Sequence, residues 1–252
     1  MILADRVSFA YPQGPQVFQD FTWRVEPGEF WAVIGPSGCG KSTLLALAAG
    51  LRSPAAGRIL VGDRPMDGPR RSTGLILQDH GMLPWATVRQ NVELGLRIRG
   101  IPAGERRSAV QSWLARMGLE KVADRYPQQV SGGQRQRAAI ARTLATQPDL
   151  LLMDEPFSSL DALTREEMQN LVLELGQENR LTVLLVTHNV EEAAFLGRKI
   201  LVLTHPPIAH PEIVENPGAG RLDYRAFPAY FETARRTRQR IMEMQRDPVG
   251  PV

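Results

Sequence analysis

The 252-residue chain has little of several features that define common protein classes. Its single cysteine excludes an internal disulfide and is typical of a reducing compartment. No apolar run approaches the roughly 18 residues that a transmembrane helix needs. The first five residues also lack the charged and apolar regions of a signal peptide. We therefore expect a soluble or peripheral protein.

Strong charge and internal repeats are absent as well. The formal net charge is only +3 at pH 7, which is too weak to indicate a nucleic-acid surface. No segment of the sequence repeats another. Hydrophobic residues make up 43% of the chain, enough for one large α/β domain or for a core with a sub-domain.

The most informative segment is glycine-rich and fits G-x-x-x-x-G-K-[ST]: Gly35-Pro36-Ser37-Gly38-Cys39-Gly40-Lys41-Ser42-Thr43. The apolar run 30–34 before it predicts a buried strand, and residues 44–49 after it predict a helix. In that context the backbone N–H groups and the helix N-terminus favour bound phosphate. Lys41 would then reach the β- and γ-phosphates, and Ser42 would offer its hydroxyl to Mg²⁺.

Two acidic residues follow a second apolar run. Residues 150–153 predict another buried strand, and Asp154 and Glu155 come directly after it. The Asp154 carboxylate could bind Mg²⁺ directly or through a water ligand of the ion. Glu155 is placed to act as the general base that polarises the attacking water. The alternative is a strand that merely ends in two surface acids. The accompanying phosphate loop disfavours that interpretation.

Further motifs occur in a fixed order after the phosphate loop: Gln78, Ser131–Gln134, Ser159–Asp161 and His188. With the phosphate loop and the acidic pair, they make the chain resemble the ATP-binding cassette of ABC transporters from Tyr11 to His188. The resemblance implies an α/β fold: a P-loop NTPase core with an antiparallel β part and an inserted helical sub-domain. It also implies ATP hydrolysis that drives transport through separate membrane permease subunits.

The Ser-Gly-Gly-Gln motif has a physical interpretation of its own. Ser131 predicts a helix N-cap, and the uncovered N–H groups of Gly132 and Gly133 predict an anion site at the start of the helix 134–144. The resemblance implies that this motif, Gln134 included, contacts the γ-phosphate of ATP held by the opposite subunit. Hydrolysis would therefore require a homodimer.

The resemblance assigns roles to four more residues. His188 would contact the γ-phosphate and the attacking water, and Gln78 would contact Mg²⁺ or that water, so both join Glu155 in catalysis. Tyr11 would stack on adenine, with core or edge packing as the alternative. Asp161, in the Ser-Leu-Asp turn, would also belong to the nucleotide site.

The chain is expected to form one cassette domain with three parts. Residues 1–77 and 147–205 would form the nucleotide-binding core, and residues 78–146 the helical sub-domain, with helical patterns over 88–98 and 108–117. Residues 206–252 would form a C-terminal strand and helix extension. Its helix, from about 228 to 245, would place on one face Tyr230, Phe231, Ala234, Ile241 and Met242.

Residues 83–88 and 156–165 resemble the branch of importers for nitrate, sulfonate, taurine and pyrimidine precursors. This implies a small polar solute, an extracytoplasmic solute-binding protein and a peripheral position at the cytoplasmic face of the cell membrane, without a nucleic-acid partner. The sequence departs from the common pattern at Val130, Ser158-Ser159 and Asn189. These departures weaken the assignment to the importer branch and leave the assignment as an ATPase unchanged.

The alternative function is a soluble cassette ATPase that acts on nucleic acid or on the ribosome. A DNA-repair cassette would need a long coiled-coil insertion between the phosphate loop and Ser131, and that stretch is too short for one. A translation-type protein would carry two cassettes in one chain, and here there is one.

Cys39 lies inside the phosphate loop. A small, tolerated loop residue is the simpler interpretation. A helix N-terminus can also lower the pKa of a thiol, which would make Cys39 reactive and let ATP protect it from modification.

Overall fold

A computed structural model of the protein describes residues 1–203 and 205–246, with the backbone alone at 245 and 246. Residues 204 and 247–252, which the predicted core and C-terminal extension include, lie outside the described residues. Packing divides the chain into two units. Unit 1 comprises Met1–Arg70 and Leu173–Val252, and unit 2 comprises Arg71–Val172.

An antiparallel sheet forms the first layer of unit 1. Its strands are β1 (Ile2–Ala10), β2 (Gln16–Val25), β4 (Ala56–Val61) and the short β5 (Arg64–Pro65), in the order β2-β1-β4-β5. Burial alternates along β1, as expected when one sheet face covers a core. This sheet is the predicted antiparallel β part.

A second sheet of unit 1 carries the phosphate loop. Within the unit its order is β10-β9-β3-β8, with β3 at Phe30–Ile34, β8 at Thr182–Val186, β9 at Lys199–Val202 and β10 at Glu212–Glu215. β3 runs parallel to both β8 and β9, and all residues of β3 and β8 are buried. The sequence of a buried parallel strand is a continuous apolar run, so β3 and β8 can both be predicted from the sequence.

The helices of unit 1 are α1 (Lys41–Ala48), α6 (Val190–Leu196) and α7 (Pro228–Arg246). Ile241 and Met244 of α7 pack against a core formed by β3, α6, β9 and β10. The predicted apolar face of α7 is partly wrong, because Phe231 and Met242 are exposed while Thr233 and Thr237 are buried. Apolar periodicity misses such threonines, which occupy core positions of the helix.

Unit 2 contains the parallel strands β6 (Thr73–Ile76) and β7 (Leu150–Asp154) and three complete helices. These helices are α2 (Val88–Ile98), α3 (Ala103–Arg116) and α4 (Gly132–Leu144), and α2 packs on both others. The division between the units falls within α5 (Ala162–Glu178). It lies at 70/71 and 172/173 rather than at the predicted 77/78 and 146/147, and the predicted three-part organisation stays a prediction.

No helix of the described ranges is both long enough and apolar enough to cross a membrane.

Candidate active site

The phosphate loop joins β3 to α1 in unit 1. At Gly40 the backbone φ is +103°, and a Cβ there would lie 2.6 Å from Cγ1 of Val17, so glycine is required. Gly40 is also the N-cap of α1 and brings no side chain to accept the first N–H groups of the helix. That arrangement suits a bound anion, and the loop therefore fits the phosphates of ATP.

Lys41 is buried, and its ammonium group lies inside the loop. Nζ donates hydrogen bonds to the carbonyl oxygens of Gly35 and Pro36, both at 2.9 Å. Phosphate oxygens are anionic and accept stronger hydrogen bonds than carbonyl oxygens do. Lys41 can therefore exchange these carbonyl acceptors for phosphate, which is the role that the sequence predicts for it.

The thiol of Cys39 is turned into the protein and is only 1% exposed. Its burial raises the pKa of Cys39, an effect larger than the opposing attraction of the Lys41 ammonium group. The hypothesis that the helix N-terminus lowers this pKa is therefore wrong. The reason is that removal of the thiol from water disfavours its charged form.

We expect native Cys39 to react with N-ethylmaleimide at neutral pH much more slowly than glutathione does, because its burial disfavours the reactive thiolate and keeps the reagent away from the sulfur. Mass spectrometry of a time course, with and without ATP, measures the rate. Unfolded protein is the control and should be labelled completely. Rapid labelling that ATP prevents would show instead that the thiol faces the phosphate pocket.

Tyr11 lies beside the phosphate loop. Its hydroxyl is 3.1 Å from Oγ1 of Thr43, and its ring packs edge-on against Phe9 with 5.1 Å between centroids. The Arg52 guanidinium carbon lies 5.6 Å from the ring centroid, and Tyr11 remains 39% exposed. The Tyr11 ring therefore packs in the way that the sequence analysis gave as the alternative. Stacking of this ring on adenine stays a prediction, and the exposed part of the ring leaves room for it.

His188 follows strand β8 at the same edge of the sheet at which the phosphate loop follows strand β3. Val33 pairs with Val186 in parallel register, and the N–H of Thr187 donates to the carbonyl of Val33 at 3.1 Å. The residues that follow β3 and β8, Gly35 and His188, are therefore neighbours within unit 1. His188 is exposed, which agrees with a role in binding a phosphate.

A hydrogen-bond network orients the turn that carries His188. Asn189 is the N-cap of α6 and accepts from the N–H groups of Glu191 and Glu192. The buried Thr187 hydroxyl donates to Glu192 at 2.6 Å. Asn189 departs from the common aspartate and still caps the helix, since its side-chain oxygen accepts the same bonds.

The acidic pair and Gln78 share one sheet edge in unit 2. Ile76 pairs with Met153 in the parallel β6 and β7, so both sites lie just beyond the same ends of these strands. Asp154 and Glu155 are half-buried, and Gln78 is exposed. Glu155 has φ +45°, a strained conformation for a residue with a Cβ.

Two residues that the sequence reasoning missed hold the loop after Gln78. Arg142 of α4 donates to the carbonyls of His80 and Gly81 at 2.6 and 2.5 Å, and burial lowers the pKa of Arg142. Asn91 of α2 is fully buried and binds the loop backbone at Leu83, Ala86 and Thr87. A polar residue at an apolar helix position, as at Asn91, is the signal that could have revealed it.

The predicted serine N-cap of α4 is confirmed. Ser131 Oγ accepts from the N–H of Gln134 at 3.2 Å, and Gln134 Oε1 accepts from the N–H of Ser131 at 3.0 Å. This capping box engages both side chains. Gly132 and Gly133 between them keep their backbone uncovered by any side chain of their own, as an anion site requires.

The Ser-Gly-Gly-Gln motif packs beside the segment that contains Asp161. A Cβ on Gly133 would lie 2.8 Å from Cγ2 of Thr164. Asp161 Oδ1 accepts from the N–H of Thr164 at 3.1 Å, and this bond lowers the pKa of Asp161. The carboxylate thus stabilises the start of α5, and its role at the nucleotide stays a prediction.

The predicted site residues are shared between the two units. Unit 1 carries Tyr11, the phosphate loop and His188. Unit 2 carries Gln78, Asp154 and Glu155 on one strand edge, and the Ser-Gly-Gly-Gln motif beside Asp161.

The family described as ABC transporter matches residues 18–158, more than half of the chain. The chain therefore belongs to the ABC transporter family, and it is an ABC-type ATPase that binds ATP. The predicted α/β fold, with its P-loop NTPase core, is confirmed.

The curated relatives include proteins named for transport. A taurine import ATP-binding protein of Chromobacterium violaceum is 45% identical over 207 residues, which cover 82% of this chain and 79% of the relative. A putative ATP-binding protein of Brucella abortus is 48% identical over 183 residues, 73% of this chain and 70% of the relative. The predicted resemblance to the importer branch is confirmed by such relatives.

Two solved structures show the same fold. The dimeric post-hydrolysis state of the ATP-binding cassette MJ0796, bound to ADP and Pi, matches with a TM-score of 0.76 at 30% identity, over 85% of this chain and 98% of that one. A subunit named cbiO1 from Clostridium perfringens, part of an ABC transporter complex, matches with a TM-score of 0.77 at 26% identity, over 97% of this chain and 98% of that one.

Proposed function

We propose that the chain is the ATP-hydrolysing subunit of an importer that takes up a small polar solute of the nitrate, sulfonate or taurine type. The observation that carries the ATPase part of this proposal is that one chain has two helix starts suited to an anion, at α1 and α4. The relatives named as taurine import ATP-binding proteins support the import function. They also support a small polar solute as the transported compound.

In this proposal Glu155, a residue of unit 2, is the group that accepts the proton. Glu155 accepts a proton from the water that attacks the γ-phosphate, while His188 and Gln78 orient that water. Ser42, Gln78 and Asp154 offer hydroxyl, amide and carboxylate oxygens, the donor types that fit Mg²⁺. Mg²⁺, when bound, neutralises charge on the phosphate oxygens.

A homodimer is the proposed active form. Each chain supplies one phosphate loop and one Ser-Gly-Gly-Gln motif, so two chains in opposite orientation complete two sites. The dimeric structures of the cassette MJ0796 support this arrangement. ATP gripped from both sides favours closure, and loss of the γ-phosphate removes that grip.

A permease is the proposed membrane partner, and it would contact the segment from Gln78 to Trp85. Within this segment the largely apolar side chain of Trp85 is 74% exposed, and Leu77, directly before the segment, is also exposed. Exposed aromatic side chains of this kind anchor protein interfaces. The chain would therefore lie at the cytoplasmic face of the cell membrane, in a system that includes an extracytoplasmic solute-binding protein.

We expect Trp85→Arg to weaken binding to urea-stripped membrane vesicles of the source organism at least about 30-fold, the effect of losing an interface anchor. Ile98→Arg is the matched control, since Ile98 is 76% exposed at the far end of α2. Sedimentation measures binding, and ATPase activity in solution should be unchanged in both variants. Equal binding of wild type and Trp85→Arg would contradict this docking segment. Binding of the wild type to ribosomes rather than vesicles would favour the soluble alternative.

A further inference from the structure

Unit 1 contains a pocket of about 760 Å³ that the ATPase chemistry does not use. It is lined by Phe30, the first residue of β3, by the C-terminal part of α5 and by the loop 217–221 after β10. The phosphate loop follows Ile34, at the other end of β3. Five residues of strand separate the two places by roughly 16 Å.

The pocket has a cationic lining. Arg180, Arg198 and Arg221 line it, and none of the described lining residues is acidic. Arg221 is already neutralised, because its Nε and Nη2 donate to the two carboxylate oxygens of Asp223 at 3.0 Å each. Within the described part of the chain, the side chains of Arg180 and Arg198 form no hydrogen bond or ion pair.

The loop that closes the pocket is held in place by one exposed and several buried hydrogen bonds. Gln177 of α5 donates to the carbonyl of Gly220 at 2.6 Å. Asn216, 1% exposed, donates to the carbonyls of Ala194 and Gly197 at 2.7 and 2.8 Å and accepts from the Tyr224 hydroxyl at 2.6 Å. A wall fixed in this way loses little entropy when a ligand binds.

The floor of the pocket is apolar. Phe30, Leu173 and Ala219 are buried lining residues. The Phe30 ring packs directly on the backbone of α5, since a Cβ on Gly176 would lie 2.0 Å from it. An apolar floor with two available guanidinium groups matches a ligand with an apolar body and an anionic group, and the volume suits a small molecule.

We propose that this pocket binds a small organic anion, with its apolar body against Phe30 and Leu173 and its carboxylate, sulfonate or phosphate group at Arg180 and Arg198. Guanidinium groups bind such planar or tetrahedral anions with paired, charge-assisted hydrogen bonds. Because the phosphate loop lies at the other end of β3, the anion binds together with ATP and does not compete with it.

The probe for this site is 8-anilinonaphthalene-1-sulfonate, an aromatic sulfonate whose fluorescence rises when it leaves water. Arg180→Gly and Arg198→Gln should each weaken its binding at least about tenfold, equivalent to about 1.4 kcal/mol. Arg180 has φ +51°, so glycine there relieves backbone strain while it removes the charge. Arg236→Gln, an exposed arginine of α7, is the control and should bind like the wild type.

Two further measurements complete the test. A saturating non-hydrolysable ATP analogue with Mg²⁺ should leave the affinity for the sulfonate unchanged. N-phenyl-1-naphthylamine, the uncharged counterpart of the probe, should bind at least about tenfold more weakly than the probe. Displacement by the nucleotide, equal binding of the uncharged compound, or equal affinity of all three arginine variants would each overturn the proposal. Thermal melts establish that every variant is folded.

Discussion

Replacement of Glu155 by glutamine is expected to lower ATP turnover by about 10² to 10⁴-fold, the contribution of a general base, and to preserve ATP binding. Glutamine retains the size of the side chain and loses only its ability to accept the proton of water. It is also subject to the same strain at φ +45°, so the turn after β7 should not change. Steady-state hydrolysis and the affinity for a fluorescent ATP analogue are the two measurements.

Glu166→Gln is the matched control for this experiment, because Glu166 is an exposed glutamate of α5. Its turnover should equal that of the wild type. Near-normal hydrolysis by Glu155→Gln would remove Glu155 from the role of base. In that case another group would have to accept the proton.

The second large effect concerns Lys41. Lys41→Ala should weaken ATP binding about 10 to 150-fold, the range for loss of hydrogen bonds to a charged group. The variant also leaves the carbonyls of Gly35 and Pro36 without the ammonium donor that each has at 2.9 Å. A thermal melt is therefore needed to show that the variant is folded. Unchanged affinity in the folded variant would contradict the phosphate-loop assignment.

Combination of this variant with Ser131→Arg tests the proposed dimer. Each variant alone should be inactive, because one lacks the phosphate-loop lysine and the other blocks the anion site of α4. In an equal mixture, mixed dimers should recover about one quarter of the wild-type sites, since half of the dimers are mixed and one of their two sites is intact. Ser131→Arg mixed with a chain that carries both changes is the control and should show no recovery. Mixed dimers that form and stay inactive would argue against composite sites.

Much of the fold and site was predictable because the relevant signals are local. The buried strand β3, the glycine-rich loop and the helix α1 follow one another within about 20 residues, and each has its own pattern. The same holds for the N-cap at Ser131, because the two residues of the capping box, Ser131 and Gln134, are three positions apart in sequence. Local backbone geometry is encoded by neighbouring residues, so such elements can be inferred from the sequence.

Other features were inferred wrongly or missed because burial decides them. The pKa direction at Cys39 depends on how the loop packs, and the buried face of α7 includes threonines that periodicity ignores. Arg142 of α4 holds the loop after Gln78 from a position 61 residues beyond Gly81 in sequence. Asn91 holds the same loop from the adjacent helix α2, and it does so because its side chain is buried against the loop backbone. None of these facts is visible in the composition of a short window.

The sequence by itself determined the family of this protein, because it contains a phosphate loop, a second helix start suited to an anion, and an acidic pair, in the order typical of an ABC-type ATPase. Only the tertiary structure decided the arginine-lined pocket, which Phe30, Arg180 and Arg198 form from distant parts of the chain. The physical reason is that turns and caps follow from residues adjacent in sequence. Burial, pKa shifts and pockets arise from segments that meet only when the chain folds.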